Sequence, residues 1–152
     1  MKLIPLAEKA CLIAVLMGAI LLYLQGAPTM TNWFLLALSG IFFLYSFQKK
    51  EFPIEENEKF GFSELLGLTI VPKVIWIGCS VSTLGIAFYL FDFGNDGFMQ
   101  MLLIGASSIA TASVLLIVFY LQGTRHIKMV MPVLIRAIPL CIIDIYLFVE
   151  SL

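Results

Sequence analysis

Apolar residues fall in five long runs along this chain, and each run reads as one helix. The runs are Ala10 to Leu24, Trp33 to Phe47, Val71 to Phe91, Phe98 to Leu121 and Met129 to Val149. A hydrocarbon core of ~30 Å takes about 20 helical residues, so the shorter runs are expected to borrow flanking residues. The predicted spans are residues 10–25, 32–48, 71–91, 98–121 and 129–149. The uncharged, turn-rich "QGAPTMTN" joins the first two spans into an antiparallel hairpin, and "DFGNDG", residues 92–97, does the same for the second pair. Pro72 stands near the first turn of the third span, where its missing N–H costs nothing. The one hydrophilic stretch, "QKKEFPIEENEKFGFSEL", is too short for a domain and too charged to be buried, and predicts a loop over residues 48–66. The expected architecture is an all-α integral membrane protein, a single membrane domain over residues 1–152. It is a bundle of five transmembrane helices, two hairpins plus a C-terminal helix.

Composition places the chain in the same class. Of its 152 residues 61% are hydrophobic and 12% charged, against ~25% charged in an average soluble domain. A mean hydropathy of +1.04 leaves too little polar surface to coat a globule, so apolar side chains must face lipid or one another. The lipid bilayer is thus the first expected partner. Nucleic acid is excluded, because no basic stripe exists to follow a phosphate backbone. Cys11, Cys79 and Cys141 each lie inside an apolar run with no CxxC and no nearby His, which reads as three small buried hydrophobes without metal or disulfide chemistry. Lys2, Lys9 and the small residues of "QGAPT" give the first run some features of a signal peptide, but another apolar helix follows at once, so a retained span is expected.

Charge sets the orientation. With five spans, Lys2, Lys9, Lys49, Lys50, Lys59, Lys73, Arg125 and Lys128 share one side, and the opposite loops, 25–32 and 92–97, hold no Lys or Arg. By the positive-inside rule the N-terminus and the 48–66 loop are cytoplasmic, with Asp92, Asp96 and the C-terminus outside. The expected location is the cell inner membrane.

The last run, "MPVLIRAIPLCIIDIYLFV", carries two ionisable groups and two prolines. Twelve Ile, Leu, Val or Phe residues between Met129 and Val149 supply about −4 to −7 kcal/mol on the insertion scale, and Arg136 with Asp144 cost about 5 to 7 kcal/mol at mid-membrane. The sum is near zero, so this segment must lean on the other helices. Arg136 and Asp144 are separated by a rise of roughly 12 Å, too far for a simple intrahelical pair. In one reading Arg136 snorkels to phosphate headgroups and Asp144 sits at the interface. In another both face neighbouring helices or a partner subunit. A proton or ion relay is the third, although relays use several aligned polar groups and this chain has few. Pro139 is expected to kink the helix and free the Ile135 carbonyl, with the kink and Asp144 both turned towards protein.

Small residues mark the expected helix contacts. Ala10, Ala14 and Gly18 form a stripe on the first span, and Gly78, Ser82 and Gly85 share a face of the third. "GASSIATAS", residues 105–113, contributes Gly105, Ser108 and Ala112 on the fourth. Such residues let backbones approach closely in a medium with no hydrophobic drive between helices. The two hairpins also read as a parallel duplication, with Gly18 and Gly40 of the first answering Gly85 and Gly105 of the second.

The stretch "IGCSVSTLGIAFYLFDFGNDGFMQMLLIGASS", residues 77–108, resembles the two-helix membrane hairpin of GldL-like inner-membrane proteins of Bacteroidota. The likeness rests on Gly78, Gly85 and the Ile104-Gly105 pair. The long cytoplasmic tail of that family has no counterpart here, nor has an acidic residue inside a hairpin span. The resemblance therefore implies a setting, a small subunit of a bacterial inner-membrane complex, and no motor activity.

Enzymatic chemistry is not expected. His126 is the lone histidine and makes no triad or metal site by itself. Glu55, Glu56, Glu58 and Glu64 fit no ligand spacing and read as a solvated acidic loop. No phosphate loop, nucleophile elbow or HExxH occurs, so no catalytic, cofactor-binding or metal-binding residue is expected, and no cofactor. The expected function is an accessory or assembly subunit packed against other membrane-protein subunits. The alternative is a homo-oligomeric ion channel or small transporter using Arg136 and Asp144.

Overall fold

A computed structural model describes residues 3–25, 29–48, 61–91, 97–124 and 127–151, and every regular element among them is helical. In chain order these are α1 (Leu3–Gln25), α2 (Thr29–Phe47), α3 (Phe62–Leu65), α4 (Val71–Leu90), α5 (Gly97–Leu121) and α6 (Pro132–Glu150). A π-helical turn, Leu66–Ile70, joins α3 to α4, and a 3₁₀ turn, Ile127–Met129, precedes α6. Three helices are long and apolar enough to cross a membrane: Phe62–Leu90, Gly97–Leu121 and Pro132–Glu150. Thr31–Phe47 is a shorter apolar helix.

The helices begin and end where local chemistry allows. The helix containing α4 starts at Phe62, because the Glu64 carboxylate accepts the Gly61 N–H at 3.1 Å while the Glu64 and Leu65 N–H groups bond the Gly61 carbonyl. The loop expected over 48–66 therefore ends sooner: residues 62–66 are helical, and residues 49–60 lie outside the described residues. The helix runs on through Pro72 because the π turn precedes it, with the Val71 N–H reaching back to the Leu66 carbonyl. Similarly, α1 begins at Leu3 instead of residue 10, which draws Glu8 and Lys9 into the helix. At the far end of α5, Gly123 adopts φ 72°, and the Thr124 N–H bonds the Phe119 carbonyl, closing the helix with a left-handed cap. The last helix starts at Pro132, after the 3₁₀ turn, and not at residue 129.

Side-chain contacts fix the relative directions. Glu8 meets Tyr45 and Gly18 meets Thr31, so α1 and α2 are antiparallel. Ser39 meets Ser80 and Phe42 meets Trp76, which sets α2 against α4 in the same way. Between α4 and α6 the pairs are Trp76 with Arg136 and Ser82 with Asp144, a parallel arrangement. Central in the bundle, α4 packs on α2, α5 and α6. The core gathers Phe42, Ile75, Trp76, Ile109, Leu116 and Val133, all buried.

Candidate functional site

Among the described residues, α6 takes part in two polar centres inside this apolar bundle. The first joins the starts of α1 and α6. Glu8 is only 1% exposed. Its Oε2 accepts the Tyr45 hydroxyl at 2.6 Å, and its Oε1 stands 3.0 Å from Arg136 Nε. That second contact is a charge contact without hydrogen-bond alignment. The guanidinium also lies 5.7 Å from the Trp76 ring centre, and Tyr45 stacks on the same ring at 4.7 Å. A cation over an aromatic face is attracted to the ring's negative quadrupole. Four helices thus meet at one knot of Glu8, Tyr45, Trp76 and Arg136, while 45% of the arginine side chain stays exposed.

The second centre lies deeper. Asp144 has no exposed surface, and Ser82 Oγ donates to its Oδ1 at 2.8 Å. Its Oδ2 has no hydrogen-bond partner among the described residues. Cys79 is buried one turn from Ser82, and the Cys141 thiol, near Asp144, faces the Ala106 carbonyl at 3.7 Å. On the α2 side of α4, the Ser39 hydroxyl bonds the Ser80 carbonyl at 2.9 Å. Among the described residues no three His, Cys, Asp or Glu side chains converge as metal ligands would. The chemistry present is that of charge pairing and helix tying.

The small residues divide unequally. A Cβ on Gly105 would stand 2.9 Å from Ser82 Cα and N, and one on Gly78 would stand 2.9 Å from Ile109 Cγ1 and 3.3 Å from Ser108 Cβ. At Gly85 the nearest atom would be Leu102 N at 3.1 Å. Gly78, Ser82, Gly85, Gly105, Ser108 and Ala112 therefore lie along the α4–α5 contact, with Ser108 and Ala112 reaching into it from α5. On α1 the expected stripe does not act as one: Gly18 packs on Thr31, Ala14 is half-buried and Ala10 is exposed. Nothing approaches Gly40, so it is not the structural counterpart of Gly105.

Pro139 turns away from the other helices of this chain. It lies on the exposed side of α6, as does Ile135, whose side chain is 75% exposed. The reason is the face that α6 buries: Val133, Leu134, Ala137 and Asp144 define it, and Pro139 is two residues, about half a turn, from Ala137. The residue that sequence reasoning missed is Glu8. It was legible as an acidic residue directly before an apolar run, but its partners are 37 and 128 positions away in the chain. His126, Glu55, Glu56 and Glu58 lie outside the described residues, and Glu64 caps the start of α3. The chain matches no protein-family model, no curated protein and no solved structure.

Proposed function

We propose that this chain is a five-span inner-membrane protein that serves as an accessory or assembly subunit, packed against larger membrane proteins of a bacterial complex. α1, α2, Phe62–Leu90, α5 and α6 are the five spans, with the N-terminus cytoplasmic and the C-terminus outside. The parallel placement of α1, α4 and α6 supports an odd number of crossings. The GldL-like hairpin supports the setting and nothing finer.

The outward face of α6 is the observation that carries this reading. Only 22% of that helix's apolar span is buried, so most of it is offered to the surroundings. Arg136 and Asp144 are both engaged within the chain, Arg136 by Glu8 and Asp144 by Ser82. The outer face bears Ile135, Ile138, Pro139, Ile142 and Ile145. Pro139 supplies no N–H, so the Ile135 carbonyl lacks its helical donor on the exposed side. In hydrocarbon an unsatisfied carbonyl costs several kcal/mol, and a polar group of a neighbouring helix removes that cost. No catalytic role is proposed.

The runner-up reading is a homo-oligomeric channel or small transporter, favoured by the buried Asp144 with one unpartnered oxygen. Gentle detergent extraction followed by mass spectrometry separates the two. Stoichiometric co-purification with unrelated membrane subunits is expected. A self-oligomer that conducts ions in liposomes would replace the subunit reading with the channel. Topology is checked by labelling single-Cys variants at loops 25–32 and 92–97 and at the C-terminus. A C-terminus reachable only from the cytoplasm would remove the fifth crossing.

A further inference from the structure

Among the described residues two carboxyl groups are buried, Glu8 and Asp144, and only one of them has a cation. Glu8 stands against Arg136. Asp144 meets a single neutral donor, Ser82 Oγ, and its Oδ2 is left without a partner. Among the described residues no base stands within reach of it. Arg136 lies roughly 12 Å back along α6, where Glu8 holds it, and Lys73 roughly 14 Å back from Ser82 along α4. Neither α2 nor α5 contains an Asp, Glu, Lys, Arg or His, and α1 brings only Glu8 and exposed Lys9, level with Arg136. Towards the other end the sequence offers only acids: Asp92 and Asp96 in the 92–97 turn, Glu150 after Asp144, and no charge in residues 25–32. The titratable groups facing the carboxyl are the Cys79 thiol of α4 and the Cys141 thiol of α6. Tyr146 is turned outward, and Tyr89 packs on Phe98.

We propose that Asp144 is a proton-binding site. α6 docks with this side chain as the neutral acid, Oδ1 accepting from Ser82 and Oδ2 carrying the proton. The proton passes to water when this stretch of α6 leaves α4. An ionised carboxylate here would be a buried charge with no counter-charge, and a proton removes that charge without needing further ligands. A metal cation does not fit. Among the described residues no three ligating side chains converge, and the two thiols are soft groups unsuited to sodium, magnesium or calcium. Their sulfurs do offer the Oδ2 proton weak acceptors. Glu8 is the internal control, since Arg136 supplies its positive charge and no proton is required. The site is complete within one chain and does not depend on what covers the outer face of α6.

Two measurements on the full chain, in a detergent without ester groups, test the proposal. With the aspartate side-chain carboxyls isotopically labelled, infrared spectra at neutral pH should show an isotope-shifted band of a neutral carboxylic acid. That band should be absent from Asp144→Asn. Aspartate signal confined to the carboxylate bands of the wild type, or an acid band that survives Asp144→Asn, overturns the site. Unfolding by SDS reads the same proton. Folding takes up a proton that the water-exposed carboxyl of the unfolded chain has released, so rising pH opposes folding. From about pH 6 to 8 the wild-type unfolding constant should rise relative to that of Asp144→Asn, approaching tenfold per pH unit. Parallel profiles overturn the proposal. So does a wild-type stability that falls when sodium is exchanged for choline, because a metal cation would then stand at Oδ2.

Discussion

The α4–α5 hairpin and the α6 attachment solve one problem by opposite means. Between α4 and α5, side chains are removed: Gly78, Gly85 and Gly105 bring backbones and side chains into direct contact over about two turns. Where α6 joins the bundle, polar groups are added: a buried carboxylate holds Arg136, and Ser82 holds Asp144. The Phe62–Leu90 helix is 56% buried along its apolar span and α6 only 22%, so α6 joins the bundle over a narrower face, on which its polar ties weigh more. Lipid offers no hydrophobic drive for either, which leaves close packing and polar ties as the two devices. Spread contacts tolerate the loss of any one side chain but not the gain of one. Concentrated contacts behave the other way.

The sharpest way to break this contrast is to add atoms to the hairpin. Gly105→Val meets Ser82 backbone, which cannot swing aside, so its cost should reach or exceed the top of the ~1–3 kcal/mol overpacking range. Gly40→Val, with nothing within 4 Å, should stay within about 0.5 kcal/mol. Thermal unfolding in detergent, followed by circular dichroism, reads both, and equal losses would refute the packing account. Next in size is Arg136→Gln, which leaves Glu8 buried without its cation. The loss should fall near the lower end of ~3–5 kcal/mol, because Arg136 is partly exposed. Adding Glu8→Gln should recover part of that loss, and strict additivity of the two would mean the pair is not coupled.

The deeper tie gives a smaller effect. Ser82→Ala removes the only hydrogen-bond donor described for Asp144 and should cost about 1–3 kcal/mol. Asp144→Asn keeps an oxygen for Ser82 and removes the charge, so it should cost less than Ser82→Ala in the same unfolding assay. The reverse order would require a cation bound to Asp144. Smallest of all is Pro139→Ala, which restores a backbone N–H on the exposed face. The isolated protein should unfold at the same temperature or slightly higher, while co-purification with partner subunits falls. Unchanged co-purification would remove the partner from the Ile135 carbonyl.

Much of the helical layout was legible, because a run of some twenty apolar residues has few other solutions. The α4–α5 contact was legible too: Gly78, Ser82 and Gly85 fall on one face by helical period alone. The knot was not. Glu8 sits between Ala7 and Lys9 in what reads as an interfacial flank, and only three-dimensional placement brings Tyr45 and Arg136 to it. The early start of the third helix was masked by the charged residues before it, since capping at Gly61 and a π turn leave almost no pattern in composition. Pro139 shows a different limit. A kink argument says that a freed carbonyl needs a partner, but the face it occupies depends on Val133, Ala137 and Asp144 packing inward first.

The Glu8–Arg136 contact also has a consequence in time. Glu8 leaves the ribosome 128 residues before Arg136, and at about 5–20 residues per second that interval is roughly 6 to 26 s. For that period the carboxylate has Tyr45 at best, and the first hairpin cannot settle with its final charge balance. The α1–α6 tie is therefore closed only once a helix made much later arrives, like a clasp whose two halves are forged at different times. A nascent chain arrested before Pro132 has Glu8 without its cation and should be cleared by membrane proteases faster than one extended past Glu150.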